Sequence, residues 1–231
     1  MLKDSRVAIH FGVNFVLAPA PVIDGAHLRK FADALAEEGL EFEATSMPPG
    51  VGAFQRTSNR RLEVRVLHQQ NAPIGQLLAL APNPGRTLGE FVEEAEGMCA
   101  AFNKVWPEPR NIVARDVAIR HLYDVKAEHA FQFLWEQRLK EEESQLQAFG
   151  RSVLGGGLRF VMPPIPNEPE PKQIEVKIES FLQDSRKLYV DVSCAWPGPA
   201  RSPQLDPKSI LEEVFQYATT EVVAFIEGDA R

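Results

Sequence analysis

Eight polar or charged residues alternate with apolar ones in four segments, where they can form a binding surface. A period of two places such side chains on one face of a β-strand and the apolar side chains on the other. Acids, bases and an amide repeated on a sheet suit recognition of a protein partner or of a peptide laid across the strands. The candidate binding residues are His10, Asn14, Glu63, Arg65, Arg120, Asp124, Glu175 and Lys177.

These candidates form matched pairs along the chain. His10 corresponds to Arg120, Glu63 corresponds to Glu175, and Arg65 corresponds to Lys177. The same pattern also fits a solvated sheet face, on which cross-strand ion pairs contribute about 0.2–1 kcal/mol each. Both interpretations require the polar side chains to share one face.

The sequence predicts no catalytic residue, no metal ligand and no cofactor. Its five histidines do not cluster, and no Cys or carboxylate pattern near His121 and His129 completes a zinc site. His121 falls on the apolar side of its strand and is expected to be a hydrogen-bonded interior residue. The glycines 155–157 precede a strand and lack the Lys-Ser/Thr of a phosphate loop.

The elements that must position these residues repeat. Val117 lies 110 positions after Val7 in a matching apolar strand pattern, and Ile174 lies 112 positions after Leu62 in another. A near-constant offset predicts that one half of the chain is built like the other.

Each half is predicted to follow the order β-α-β-β-β-α, with antiparallel sheets and helices packed on one face. The fold class is therefore α+β with two pseudo-repeated units, residues 1–109 and 110–231, as two domains or one compact pseudo-symmetric domain. Val7 and Ile9 are expected to face the helices. The predicted strands span 6–18, 40–44, 61–67, 75–81, 112–123, 158–162, 173–182 and 187–194, with helices after Asp24, Thr87 and Asp206 and over 127–148, and a loop or poor edge strand over 47–60.

Composition restricts the classes of function. The formal net charge of −7 argues against bulk nucleic-acid binding, which needs clustered cations. Cys99 and Cys194 are expected to be buried free thiols. The sequence contains no stretch of about 18 apolar residues, so no membrane span is predicted. The N-terminal segment alternates like a strand and contains Asp4, so it is interpreted as β-structure and the protein as cytoplasmic.

The order of motifs resembles that of a sporadically distributed family of uncharacterised bacterial proteins of about this length. The likeness lies in residues 18–21, in the run 80–85 before an aromatic-bearing helix, in the strand 117–124 and in the closing strand and helix at 188–227. His121, Leu122 and Asp124 depart from the Tyr, Ile and Asn of the family pattern. The resemblance implies no known activity.

Three functions are compatible with these patterns. The first is a non-enzymatic protein-binding or scaffold protein that uses the open sheet face to hold a protein partner or to self-associate. The second is an enzyme whose site lies between the repeats, near Arg120, His121 and Asp124. The third, nucleic-acid binding, would use Arg56, Arg60, Arg61 and Arg65 to contact phosphate.

Overall fold

The computed structural model describes residues 3–58, 60–68 and 72–228. Within these ranges the strands are β1 Val7–Ala18, β2 Ala44–Ser46, β3 Val51–Arg56, β4 Leu62–His68, β5 Gly75–Pro82, β6 Asn111–Asp124, β7 Gly157–Met162, β8 Gln173–Ser180 and β9 Lys187–Trp196. The α-helices are α1 Gly25–Glu37, α2 Leu88–Val105, α3 Ala130–Gln132, α4 Pro207–Thr219 and α5 Glu221–Glu227. The predicted α+β class is confirmed.

Side-chain caps fix where the three long helices begin. The Asp24 carboxylate accepts hydrogen bonds from two backbone N–H groups of α1. Thr87 and Glu90 form the reciprocal capping box at the start of α2. Asp206 caps α4, and Pro207 occupies its first turn, where a missing N–H costs nothing. These are the helix starts that the sequence predicts.

The described strands form one antiparallel sheet in the order β2-β3-β4-β5-β1-β6-β9-β8-β7. The two long strands, β1 and β6, pair side by side at its centre from Val7–Leu122 to Ala18–Asn111. Strands β5 and then β4 lie outside β1, while β9 and then β8 lie outside β6. The sheet is therefore continuous across the boundary predicted between the two units.

The hydrophobic core lies between one face of this sheet and a layer of helices. Phe11 of β1 stacks on Phe91 of α2 with ring centroids 5.5 Å apart. Phe31 of α1 meets Phe54 of β3 edge to face at 5.4 Å, and Leu211 of α4 is fully buried. Burial of apolar surface, at about 25 cal/mol per Å², holds the helices on this face.

A β-bulge changes the phase of β1 near its start. The register with β6 shifts between Ala8 and His10, so Ile9 is an extra residue and lies half-buried at the bulge. Ala8 packs against the core, whereas Val7 is 51% exposed. The prediction that Val7 faces the helices is wrong, because one inserted residue reverses the alternation on its N-terminal side.

Two segments between α1 and β4 differ from prediction. Residues 47–60, expected to be a loop or poor edge strand, contain β3, which pairs with β2 and β4. The strand expected over 40–44 starts only at Ala44. Leu40 and Phe42 pack against the core instead of alternating in a strand.

The helix expected over 127–148 is not continuous. The short α3 runs into a π-helix, Phe133–Arg138, and a separate 3-10 helix spans Glu143–Phe149. Lys140 between them has φ +63°, a left-handed conformation in which a right-handed helix cannot continue. The acidic run that follows offers no apolar stripe, and none of the side chains of the 3-10 helix is buried.

Candidate binding face

The eight candidate residues all lie on the sheet face opposite the helix layer, which we call the open face. On β4 the core positions Leu62, Val64 and Val66 are buried, whereas Glu63 and Arg65 are half-buried. The same alternation runs through the paired strands in register. From one side of the sheet to the other, the open face includes Ala53, Gln55, Glu63, Arg65, Leu78, Leu80, His10, Gly12, Asn14, Val16, Asp116, Ala118, Arg120, Leu122, Asp124, Lys187, Tyr189, Asp191, Ser193, Glu175, Lys177, Arg159 and Val161.

On β4, the two candidates contact each other. The Arg65 Nε donates to Glu63 Oε1 at 2.5 Å, and the Gln55 amide donates to the same oxygen at 3.1 Å. Residues i and i+2 of a strand share a face, which permits this contact. The charge of Arg65 is therefore largely balanced by its own strand.

On β8, Glu175 and Lys177 repeat the arrangement with one more cation. The Lys177 Nζ lies 3.0 Å from Glu175 Oε1, and Arg159 of β7 donates to Glu175 Oε2 at 2.9 Å. The hydrogen bond from Arg159, followed by that from Lys177, lowers the pKa of the Glu175 carboxyl. One carboxylate thus serves two cations.

At the centre, Arg120 of β6 is anchored to β9. Its Nε donates to Asp191 Oδ2 at 3.1 Å, and the Tyr189 hydroxyl donates to the same oxygen at 3.1 Å. Asp191 is only 7% exposed. A carboxylate at this depth needs its cation, because an unpaired buried charge costs several kcal/mol.

His10 lies across from Arg120 in the β1–β6 pair. Burial and, secondly, the charge of Arg120 lower the pKa of its imidazole to about 4, although Asp191 opposes the shift. The ring is consequently neutral at pH 7. It can accept a hydrogen bond, but the charged imidazolium that could act as a proton donor is not populated at that pH.

The two remaining candidates are held by neighbouring strands. The Asn14 amide donates to Asp116 Oδ2 at 2.8 Å. Lys187 Nζ donates to Asp124 Oδ1 at 2.8 Å, and the backbone N–H of Asp124 donates to Ser5 Oγ at 2.8 Å. These contacts fix Asn14 beside the interior of β6 and Asp124 at the end of that strand.

Small residues occupy the middle of the open face. A Cβ on Gly12 would lie 3.0 Å from His10 Nε2 and 3.1 Å from a methyl group of Leu80, so the imidazole rests directly over the glycine. Ala118 is opposite Gly12 and Ser193 is opposite Ala118. The face therefore has a low, small-residue centre, bordered by paired charges.

Sequence reasoning missed several residues of this face, chiefly Asp116, Arg159, Tyr189 and Asp191. Asp191 stands at an alternate position of β9 and could have been selected by the same period of two. The pairing of Asp191 with Arg120 could not be predicted, because that contact depends on which strands are neighbours and on their register.

The structure does not bring Arg120, His121 and Asp124 together. Strand alternation places Arg120 and Asp124 on the open face and His121 on the core side. His121 is 1% exposed and lies between the rings of Phe11 and Phe215. Its predicted core position is confirmed, but the described residues offer neither ring nitrogen a hydrogen-bond partner.

The basic residues proposed for phosphate contact are already engaged. Arg56 bonds to Glu94 of α2, Arg60 bonds to Glu90 at 2.6 Å, and Arg65 is held by Glu63. Phosphate binding would have to displace these carboxylates. Arg61 is exposed.

The described part of the chain offers neither a metal-binding cluster nor a membrane-spanning helix. It contains no group of three or more His, Cys, Asp or Glu residues placed to hold a metal ion. No helix in the same ranges is long and apolar enough to cross a membrane.

Comparisons with known proteins give little. No protein-family model and no curated protein matches the chain. Among solved structures, the chain is similar to DynU16, described as a protein of the dynemicin biosynthetic locus, at 12% identity and a TM-score of 0.24 over 99% of this chain and 100% of that one. At that TM-score the likeness carries no argument about fold or function.

Proposed function

We propose that the protein is a non-enzymatic protein-binding or scaffold protein, and that its open face contacts the open face of a second copy of the chain. The observation that carries the proposal is that the described helices pack on the other side of the sheet, leaving Leu78, Leu80 and Val16 half-buried beside a small-residue centre. Contiguous apolar surface within a polar rim is typical of protein interaction sites.

The size of the face suits a dimer. Nine strands spaced about 4.8 Å apart give a width of roughly 43 Å, and six residues of strand give a length of roughly 20 Å. The product, on the order of 800–900 Å², matches the roughly 800 Å² per partner of a standard protein interface. Ala118 and Ser193, which are opposite each other and half-buried, would allow two stacked sheets to approach closely at the centre.

Charge also favours this face for self-contact. Two copies that each carry a net charge of −7 repel each other. On the open face, however, the acids Glu63, Glu175 and Asp191 are each bonded to a cation of the same face. Two copies would therefore repel each other less through their open faces than through the rest of their surface, which carries the net negative charge.

We also propose that the face is built from two pseudo-repeated β-α-β-β-β-α units, the first of which carries an additional edge strand, β2, that the predicted order lacks. The equal distances of β4 and β8 from the central strand pair support this, as does the carboxylate–cation pair that recurs on those two strands. Superposing the described parts of 6–106 and 111–227 in an experimental structure tests it. Unrelated paths of the chain through the two halves would refute it.

Sedimentation equilibrium over a range of protein concentrations tests the proposed dimer. We expect the wild-type chain to dimerise and Ala118→Arg, which places a bulky charge in the small-residue centre, to remain monomeric with an unchanged circular dichroism spectrum. Leu182→Arg is the matched control, because Leu182 lies in the turn between β8 and β9 and is 78% exposed. A wild-type chain that is monomeric at every concentration, or a fully dimeric Ala118→Arg, would refute the proposal.

A further inference from the structure

The two edges of the sheet differ in their protection against strand addition. Edge strand β2 has three residues, and Pro48 and Pro49 follow soon after it. Short strands and prolines are common devices that block pairing at an edge. Edge strand β7 has six residues and no proline, and β8 is its only neighbour among the described strands. Alternate N–H and C=O groups of β7 therefore point outward along an accessible edge.

An apolar cleft of about 430 Å³ opens beside β7 on the helix side. Phe160 of β7 and Phe225 of α5 meet edge to face at 5.3 Å and are 38% and 40% exposed. Val222 and Met162 are among the other apolar residues that line this cleft. Exposed aromatic rings beside an unpaired strand edge form pockets for alternate side chains of an added strand.

On the open face the same edge carries a cation. Arg159 has 64% of its side chain exposed and shares Glu175 with Lys177. If Arg159 turned towards a partner carboxylate, Glu175 would keep Lys177 as its counter-charge. Exchanging one carboxylate for another in this way leaves no charge unpaired.

We propose that the edge of β7 binds an extended segment of a partner protein as a tenth strand, and that this segment alternates large apolar residues with acidic ones. The apolar side chains would enter the cleft at Phe160 and Phe225, and an acidic side chain would pair with Arg159. A second copy of β7 is a poorer occupant, because its open-face positions are Gly157, Arg159 and Val161 and contain no acid. This contact lies at the β7 edge of the open face, three strands from β6, whereas the proposed stacking is centred on β1 and β6.

Fluorescence anisotropy with short labelled peptides tests the chemistry of the segment. The probes are two acetylated seven-residue peptides, one alternating valine with glutamate and the other valine with lysine. We expect saturable binding of the glutamate peptide and at least tenfold weaker binding of the lysine peptide. Arg159→Glu should reverse the preference, whereas Arg186→Glu, at a residue of the β8–β9 turn with 74% of its side chain exposed, should leave it unchanged.

The position of the backbone contact is tested with N-methylated versions of the glutamate peptide. Two peptides are made, one methylated at the odd-numbered amides and the other at the even-numbered amides. Each set of amides points to one edge of an extended peptide, so one peptide should lose binding and the other should retain it. Ala118→Arg should bind the glutamate peptide as well as wild type, which separates this result from that of the open-face dimer. The proposal would be overturned if the glutamate peptide did not bind or if both peptides bound equally. It would also be overturned if Arg159→Glu left the preference unchanged, or if the two methylated peptides bound equally.

Discussion

At the scale of single residues, the central ion pair is expected to matter more for stability than the charges around it. Arg120→Ala would leave the carboxylate of Asp191, 7% exposed, with the Tyr189 hydroxyl as its one hydrogen-bond donor among the described side chains. We expect a loss of about 1–3 kcal/mol in the free energy of unfolding. Lys177→Ala should cost less than about 1 kcal/mol, because Glu175 keeps Arg159. Urea denaturation of both variants measures the difference.

A double variant separates the ion pair from the packing of the arginine stem. Arg120→Ala with Asp191→Asn removes the buried charge together with its cation, and it should recover part of the stability that Arg120→Ala alone loses. If the double variant were less stable than the single one, the buried carboxylate would not be the cause of the loss.

Two histidines, the half-buried His10 and the buried His121, predict a pH dependence of stability. The pKa of His10 and that of His121 are each lowered to about 4, chiefly by burial and secondly by the charge of Arg120 at His10 and of Arg6 at His121. Unfolded histidine titrates near 6.5, so between pH 6.5 and 4 the unfolded chain binds more protons, and stability falls as the pH falls.

Melting temperatures between pH 8 and pH 4.5 test this effect. We expect the melting temperature to be nearly constant above pH 7 and to fall below pH 6.5. The fall should be smaller in the double variant His10→Gln/His121→Leu. A double variant with the wild-type slope would show that other groups cause the acid sensitivity.

At the scale of the elements, one glycine sets how closely α1 approaches β3. A Cβ on Gly52 would lie 2.4 Å from a methyl carbon of Leu28 and 3.1 Å from one of Val66. Gly52→Ala should therefore destabilise the protein by about 1–3 kcal/mol through overpacking. Gly89→Ala in the first turn of α2 meets nothing closer than 3.9 Å and should stabilise it by up to about 1 kcal/mol. Thermal melts that rank the two variants in the opposite order would contradict this packing.

Strand phase makes a second prediction at this scale. Val64 and Val176 are 0% and 3% exposed, so an aspartate at either position would bury an unpaired carboxylate and cost several kcal/mol. Glu63→Ala and Glu175→Ala on the open face should change stability by about 1 kcal/mol or less. Thermal melts test the ranking; equal losses in the two sets would mean that both faces of β4 and β8 are buried.

Most strands and helices could be predicted because their signals are local. Alternation predicted β4, β6 and β9, and the caps at Thr87 and Asp206 predicted two helix starts. The bulge at Ile9 could not be predicted, since it arises from the register between β1 and β6. The break at Lys140 was missed because the apolar spacing before it continues as in an α-helix.

The candidate face could be predicted in outline but not in its contacts. Alternation alone selected eight residues that share one face. The partners Asp191 for Arg120 and Asp116 for Asn14 come from strands distant in sequence. Only the order and register of the strands bring them together.

At the scale of the whole molecule, the antiparallel pairing of β1 with β6 joins both halves in one sheet. The same pair lies at the middle of the open face, so the proposed dimer would cover the junction between the halves. Stability and self-association would then depend on the same two strands.

Site-specific cross-linking tests the central claim, that a second copy covers the open face. The native thiols will not interfere, because Cys99 and Cys194 are buried and burial raises the pKa of both, to about 12 for Cys194. Stacked sheets lie about 10 Å apart, so Ala118→Cys treated with a bis-maleimide of about that length should give a covalent dimer in high yield. Leu182→Cys, 78% exposed at the β8–β9 turn, should give little. Equal yields from the two variants, or no covalent dimer from Ala118→Cys, would contradict the account.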